Sequence, residues 1–147
     1  MRKIPYIEDF SKWKSEFRFS IEVNIRFSET DMFGHMNNVS PFIYFEEARI
    51  EFLKHVGLFQ SDKLGNIIPI VADLQCNYLE QVFFGETITL YVKTNSVGNS
   101  SLDIHYMGLK ENGNVCLTGR GNMVNIDATS GKSVPLTEEQ KDKLLSR

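Results

Sequence analysis

Between Phe17 and Val56 the spacing of the apolar residues changes from two to about 3.6, and that change allows few folds. Phe17, Phe19, Ile21, Val23, Ile25 and Phe27 occupy one parity, and Arg18, Ser20, Glu22, Asn24 and Arg26 the other, which predicts a half-buried strand over 17–27. From Pro41 to Val56, Phe42, Phe45, Ala48, Phe52, Leu53 and Val56 fall in one arc at about 100 degrees per residue. That predicts a helix with one core-facing side. Ser40 reads as its N-cap and Pro41 as its first residue, with Asn37 or Asn38 as alternative caps, and Gly57 supplies the stop. Arg49 sits inside the apolar arc, either snorkelling or meeting a buried ionic partner.

Further strands are expected over 67–79, with Ile70, Ala72, Leu74, Cys76 and Tyr78 on one parity, and in segments beginning at 86, 100 and 115. "SDKLGN", "NSVGNS" and "ENGN" read as turns, the last with Asn112 and Gly113 in a hairpin-like setting. Gly119 and Gly121 weaken the last strand but permit a bulge or a close backbone approach. Thr137 followed by Gln140 predicts a capping box and a short terminal helix. The chain therefore reads as α+β: one helix against one curved antiparallel sheet, with too little helix to cover both sheet faces. That deficit points to a homo-oligomer.

At 147 residues the chain fits a single domain, 1–147, with a core near 17–126 and terminal extensions. The formal charge of −3 offers no bulk positive field for nucleic acid, and no run of apolar residues is long enough for membrane insertion. The amino terminus lacks the apolar stretch of a secretory signal, so a cytoplasmic location is expected. Cys76 and Cys116 lie forty positions apart and read as free core thiols rather than a metal or redox pair.

The polar segment Ser28–Asn38 joins the strand to the helix. Asp31 is its strongest chemical candidate, as a base or carboxylate nucleophile beside helix-start amides that lack internal partners. An Asx-turn or helix-start role is the commoner use of such an aspartate, and His35, Asn37 and Asn38 could simply shape the connection. No zinc pattern, serine elbow or phosphate-binding fingerprint is present, so no metal or other cofactor is expected. Arg120, between two glycines, reads either as strand geometry or as a phosphate contact.

"ETDMFGHMNNVSPFIYFEEARIEFL" resembles the amino-terminal signature of the 4-hydroxybenzoyl-CoA thioesterase-like branch of the hotdog-fold superfamily, and "LQCNYLEQVFFGETITLYV" and "GRGNMVNIDATSGKSVPL" resemble later family blocks. The resemblance spans most of 17–136. It implies a curled antiparallel sheet wrapped around a central helix, assembly as a homodimer or homotetramer, and hydrolysis of an acyl-CoA or related acyl thioester to a carboxylic acid and a free thiol. CoA would then be part of substrate and product. The resemblance places the reactive carboxylate at Asp31 and the oxyanion donor at the Asn38 backbone amide. Gly34, His35 and Asn37 match the polar turn, and Tyr44 an aromatic position on the helix. Arg120 and Lys132 are the expected phosphate contacts. Two departures stand out: Pro41 where the family has an aromatic residue, and Gln81 where it has proline. Two rival readings are a non-catalytic acyl-CoA-binding or regulatory hotdog domain and a purely structural oligomer.

Overall fold

The computed structural model describes residues 3–58 and 65–146. Of the turn expected at 61–66, residues 61–64 lie outside them. A short helix α1 (Phe10–Ser15) precedes strand β1 (Phe19–Asn24). A 3-10 turn (Phe27–Glu29) leads to the long helix α2 (Ser40–His55). Strands β2 (Ile67–Val71), β3 (Gln75–Tyr78), β4 (Thr87–Val97), β5 (Ser101–Lys110) and β6 (Val115–Asp127) follow, and then helix α3 (Glu138–Ser146). All pairings are antiparallel in the order β1-β4-β5-β6-β2, with β3 also on β6. This is the hotdog architecture, a curled sheet holding one helix.

Burial on α2 is why the helix sits there. Phe45, Ala48 and Phe52 are completely buried against Ile88, Leu90, Ile104 and Leu117 on the concave face. Burying one such side chain contributes on the order of 1.5–3 kcal/mol, so the helix is held by its apolar face rather than by propensity. Its end follows the expectation: Gly57 takes φ +82, and the Leu58 N–H donates to the Leu53 carbonyl at 2.8 Å. Its start does not. Val39 is the N-cap and offers no side-chain cap, whereas Ser40 lies in the first turn with its hydroxyl on the Glu29 carbonyl at 3.3 Å. Asn37, one of the alternative caps, accepts instead from Val39 N–H through Oδ1 at 2.9 Å, just before the helix. Arg49 is buried, paired with Glu46 at 3.6 Å, and its Nη1 finds no hydrogen-bond partner among the described residues.

The strand expected over 67–79 is two strands, and its parity reverses midway. Val71 pairs with Met123 and Gln75 with Arg120, four steps on the edge strand against three on β6. One extra residue is therefore bulged at 72–74, where the Asp73 carboxylate replaces a backbone acceptor for the Asn122 N–H at 2.8 Å. Leu74 and Cys76 pack on the core, and Tyr78 shares their parity but is exposed at the cleft, whereas Ile70 and Ala72 lie on the other parity and are exposed. The glycines opposite this edge are needed for close approach. A Cβ on Gly119 would lie 2.6 Å from two Phe45 ring atoms and 3.0 Å from the Gln75 carbonyl, and one on Gly121 would lie 2.5 Å from the Asp73 carbonyl. Phe45 cannot retreat, because it stacks on Tyr106 at 4.3 Å. Gly119→Ala should therefore cost about 1–3 kcal/mol, seen as a lower urea midpoint at unchanged slope.

A second core lies on the convex face. Ile4, Ile7, Trp13 and Phe17 from the amino-terminal segment pack over Met107, so that segment covers sheet surface which helix α2 leaves bare. At the other terminus the capping box forms in both directions, Thr137 N–H to Gln140 Oε1 at 2.9 Å and Gln140 N–H to Thr137 Oγ1 at 3.1 Å. Leu144 of α3 is fully buried in the main core. Among the described residues, no helix is long and apolar enough to cross a membrane.

Candidate active site

The connection from β1 to α2 is tied down at almost every polar group. The Asp31 N–H donates to the His35 carbonyl at 2.8 Å, and Asp31 Oδ1 accepts from Phe33 N–H at 2.9 Å and His35 N–H at 3.1 Å. This is an Asx-type turn, and Gly34 at φ +79 supplies the left-handed step it needs, since open space surrounds the position. The turn is clamped to the β3–β4 connection: Met36 N–H donates to the Val82 carbonyl at 2.6 Å, and the His35 ring meets Phe83 edge-on at 5.0 Å. Asp31 thus builds the turn with one oxygen. Its other oxygen, Oδ2, has no partner among the described residues.

The same accounting at the helix start leaves one donor over. Asn37 N–H goes to the Glu29 carbonyl at 2.7 Å, Val39 N–H to Asn37 Oδ1, and Ser40 N–H to the Asn37 carbonyl at 3.1 Å. The Asn38 carbonyl accepts from the Tyr78 hydroxyl. The Asn38 N–H meets no acceptor among the described residues. An exposed helix-start N–H without a partner is suited to receive a negative oxygen.

Asp31 and Asn38 line one open cleft of about 310 Å³, together with His35, Tyr78, Glu80 and Val82. Tyr78 comes from β3, and burial, aided by the Cys76 thiol, pushes its hydroxyl up to about 12, so it stays protonated and able to donate at neutral pH. Lys110 steadies the cleft wall, with Nζ on the Gln81 carbonyl at 3.0 Å and paired with Glu86 at 3.2 Å and Glu80 at 3.5 Å. These contacts pin the loop at the position where Gln81 stands instead of proline. A smaller apolar cavity of about 40 Å³ lies near the other end of α2, between Leu53, Leu136 and Leu144, with no acid or base among the described residues of its lining.

The other expected site residues are dispersed. Gly34 and Asn37 shape the turn without lining the cleft. Tyr44 is 2 % exposed beneath the helix start, near Glu29 and Ser40, and burial raises its hydroxyl pKa. Arg120 faces the convex side, where its Nε and Nη2 hold Asp103 Oδ1 at 3.1 and 2.7 Å. Lys132 is exposed in the turn after β6. Neither cation lines the cleft. Tyr78 and Glu80 are polar cleft residues that the sequence did not single out. The inward parity shared by Leu74, Cys76 and Tyr78 was the available signal.

A carboxylate and an unpartnered amide lining one cleft can in general activate a nucleophile and receive a negative oxygen. Residues 25–144 match the model of the thioesterase-like superfamily, and the chain belongs to that family. It is 49 % identical over 145 residues to the uncharacterized protein YsmA of Bacillus subtilis, covering 97 % of each. It is 25 % identical over 124 residues to the long-chain acyl-CoA thioesterase FadM of Escherichia coli, covering 84 % of this chain and 94 % of FadM. A Thermus thermophilus thioesterase solved with coenzyme A and zinc superposes with a TM-score of 0.74 at 27 % identity, covering 87 % of this chain and 92 % of that one.

Proposed function

We propose that this protein hydrolyses an acyl-CoA or related acyl thioester, with Asp31 as general base or nucleophile and the Asn38 N–H as oxyanion donor. The observation that carries this reading is that one cleft is lined both by Asp31, which has an uncommitted carboxylate oxygen, and by Asn38, whose N–H meets no acceptor among the described residues. In the first route Asp31 takes a proton from water as the water attacks the thioester carbon. In the second the carboxylate attacks directly, and water then hydrolyses the mixed anhydride. Either route moves negative charge onto the thioester oxygen, where the Asn38 N–H would meet it, and releases a carboxylic acid and a thiol. Neither needs a metal or redox cofactor.

The family membership, FadM and the CoA-bound Thermus enzyme favour CoA as the thiol carrier. Among the described residues the cleft carries Asp31 and Glu80 but no lysine or arginine, so CoA phosphates would find their cations outside it. Arg120 is committed to Asp103, and Lys132, exposed with no ion-pair partner among the described residues, sits at the far end of β6 from Tyr78. Thiol release from short-chain, long-chain and aromatic acyl-CoAs tests the reading. Turnover of at least one supports it, and binding without hydrolysis across the whole set would mark a non-catalytic acyl-CoA-binding domain.

The working unit is proposed to be a homodimer. Strands β2 and β3 pair with β6 on one side only, and no described strand pairs their far side. Ile67, Ile70, Val71 and Tyr78 on this edge are each more than a third exposed, a combination that invites pairing with a second copy. Light scattering should give twice the chain mass, and a monomer throughout the working concentration range would refute the proposal.

A further inference from the structure

We propose that Tyr78 is a positioning residue: its hydroxyl, donated to the Asn38 carbonyl, holds the helix-start peptides so that the Asn38 N–H stays presented at the cleft. The inference rests on the hydrolytic reading above and extends it to a residue on a different strand.

The peptide plane carrying the Asn38 N–H ends in the Asn37 carbonyl, which accepts from Ser40 N–H at 3.1 Å. The next plane, from Asn38 to Val39, has its N–H on Asn37 Oδ1 at 2.9 Å and its carbonyl on Tyr78. With both ends of the second plane held, the first cannot rotate without breaking a bond. Without Tyr78, the exposed Asn38 carbonyl would exchange partners with water, and the second plane would keep only the side-chain contact of Asn37. The stabilisation of developing charge depends on donors that need no reorganisation at the moment of reaction, so this restraint acts on turnover rather than on substrate capture. Tyr78 is suited to it. It is half-exposed on β3 with the same parity as Cys76, its backbone is fixed by pairing with Leu117, and it retains its proton at neutral pH.

The test compares Tyr78→Phe with the parent in the full chain, using whichever of butyryl-, palmitoyl- or benzoyl-CoA the parent hydrolyses fastest. The ring remains, so the melting temperature should stay close to the parent's. Removing an oxyanion donor outright costs about 10²–10³ in kcat, and misplacing one should cost about tenfold, with KM within about twofold. A kcat within about twofold of the parent, or a loss confined to KM, overturns the proposal. Amide hydrogen exchange supplies a second readout that needs no substrate: the Val39 N–H should exchange faster in Tyr78→Phe while amides of the central sheet stay unchanged. Equal Val39 exchange overturns the proposal whatever the kinetics. If the parent hydrolyses no thioester, the hydrolytic reading fails, and exchange at Val39 alone decides whether Tyr78 holds this turn.

Discussion

Asp31→Asn should lower turnover by roughly 10²–10⁴-fold, the range for removing a general acid or base, with substrate binding and assembly close to the parent's. Asparagine is the informative replacement because of how the carboxylate is used. Oδ1 accepts from Phe33 N–H and His35 N–H, and the carbonyl oxygen of asparagine accepts both bonds equally. Only the unpartnered Oδ2 changes, from an oxygen that can take a proton or attack a carbonyl to an amide that can do neither. Alanine would remove both kinds of role together, since two backbone donors would lose their acceptor and the turn that presents His35 and Met36 to the cleft would loosen. Steady-state turnover of Asp31→Asn equal to the parent's would remove Asp31 from the mechanism. Loss of turnover with the variant still binding acyl-CoA would separate the chemical role of Oδ2 from the structural role of Oδ1.

This double use of one carboxylate explains why residue type alone left its role open. An aspartate before a helix serves turns more often than catalysis, and only the hydrogen-bond accounting shows one oxygen committed and the other spare. The central helix was more legible. The apolar arc of Phe45, Ala48 and Phe52 is a local periodic signal, whereas at the start the Ser40 hydroxyl is turned to the distant Glu29 carbonyl and Asn37 accepts from the Val39 amide. The edge strand was harder to read. Its inserted residue at 72–74 is visible only against the register of β6, so a parity followed from Ile70 through Tyr78 crosses the reversal unnoticed. Arg120 shows the same limit. Flanking glycines allowed either close strand packing or approach by a phosphate, and the Cβ clashes show the former, with Phe45 and the Asp73 carbonyl against the glycines and the guanidinium turned to the opposite face.

That opposite face carries the second large expected effect. Trp13→Ala should cost about 3–5 kcal/mol, the usual penalty for emptying a buried tryptophan site. Trp13 is 5 % exposed, lies edge-on to Phe17 at 4.7 Å, and has the Lys93 ammonium 5.9 Å from its ring. Lys93 is itself buried and paired with Glu16. The indole N–H donates to His105 Nδ1 at 2.8 Å, which leaves the proton on Nε2 to donate to Asp103 Oδ2 at 2.9 Å, while Arg120 holds Asp103 Oδ1. Burial alone would raise the Asp103 pKa, but the hydrogen bonds from His105 and Arg120 outweigh it and hold the carboxyl below its ordinary 3.8. A carboxylate depressed in the folded state contributes stability above that ordinary value, and the contribution is lost as pH falls through the folded one. Removing Trp13 frees the ring that orients His105, so the gap between variant and parent should be widest above pH 3.8 and narrow on further acidification. Denaturant titration followed by far-ultraviolet circular dichroism measures it, because the variant lacks the chain's single tryptophan. Trp13→Phe keeps a ring but deletes the donor, and should fall between the two. A loss below about 1 kcal/mol for Trp13→Ala would mean that the amino-terminal segment rests on the sheet without holding it, since surface substitutions fall within that range.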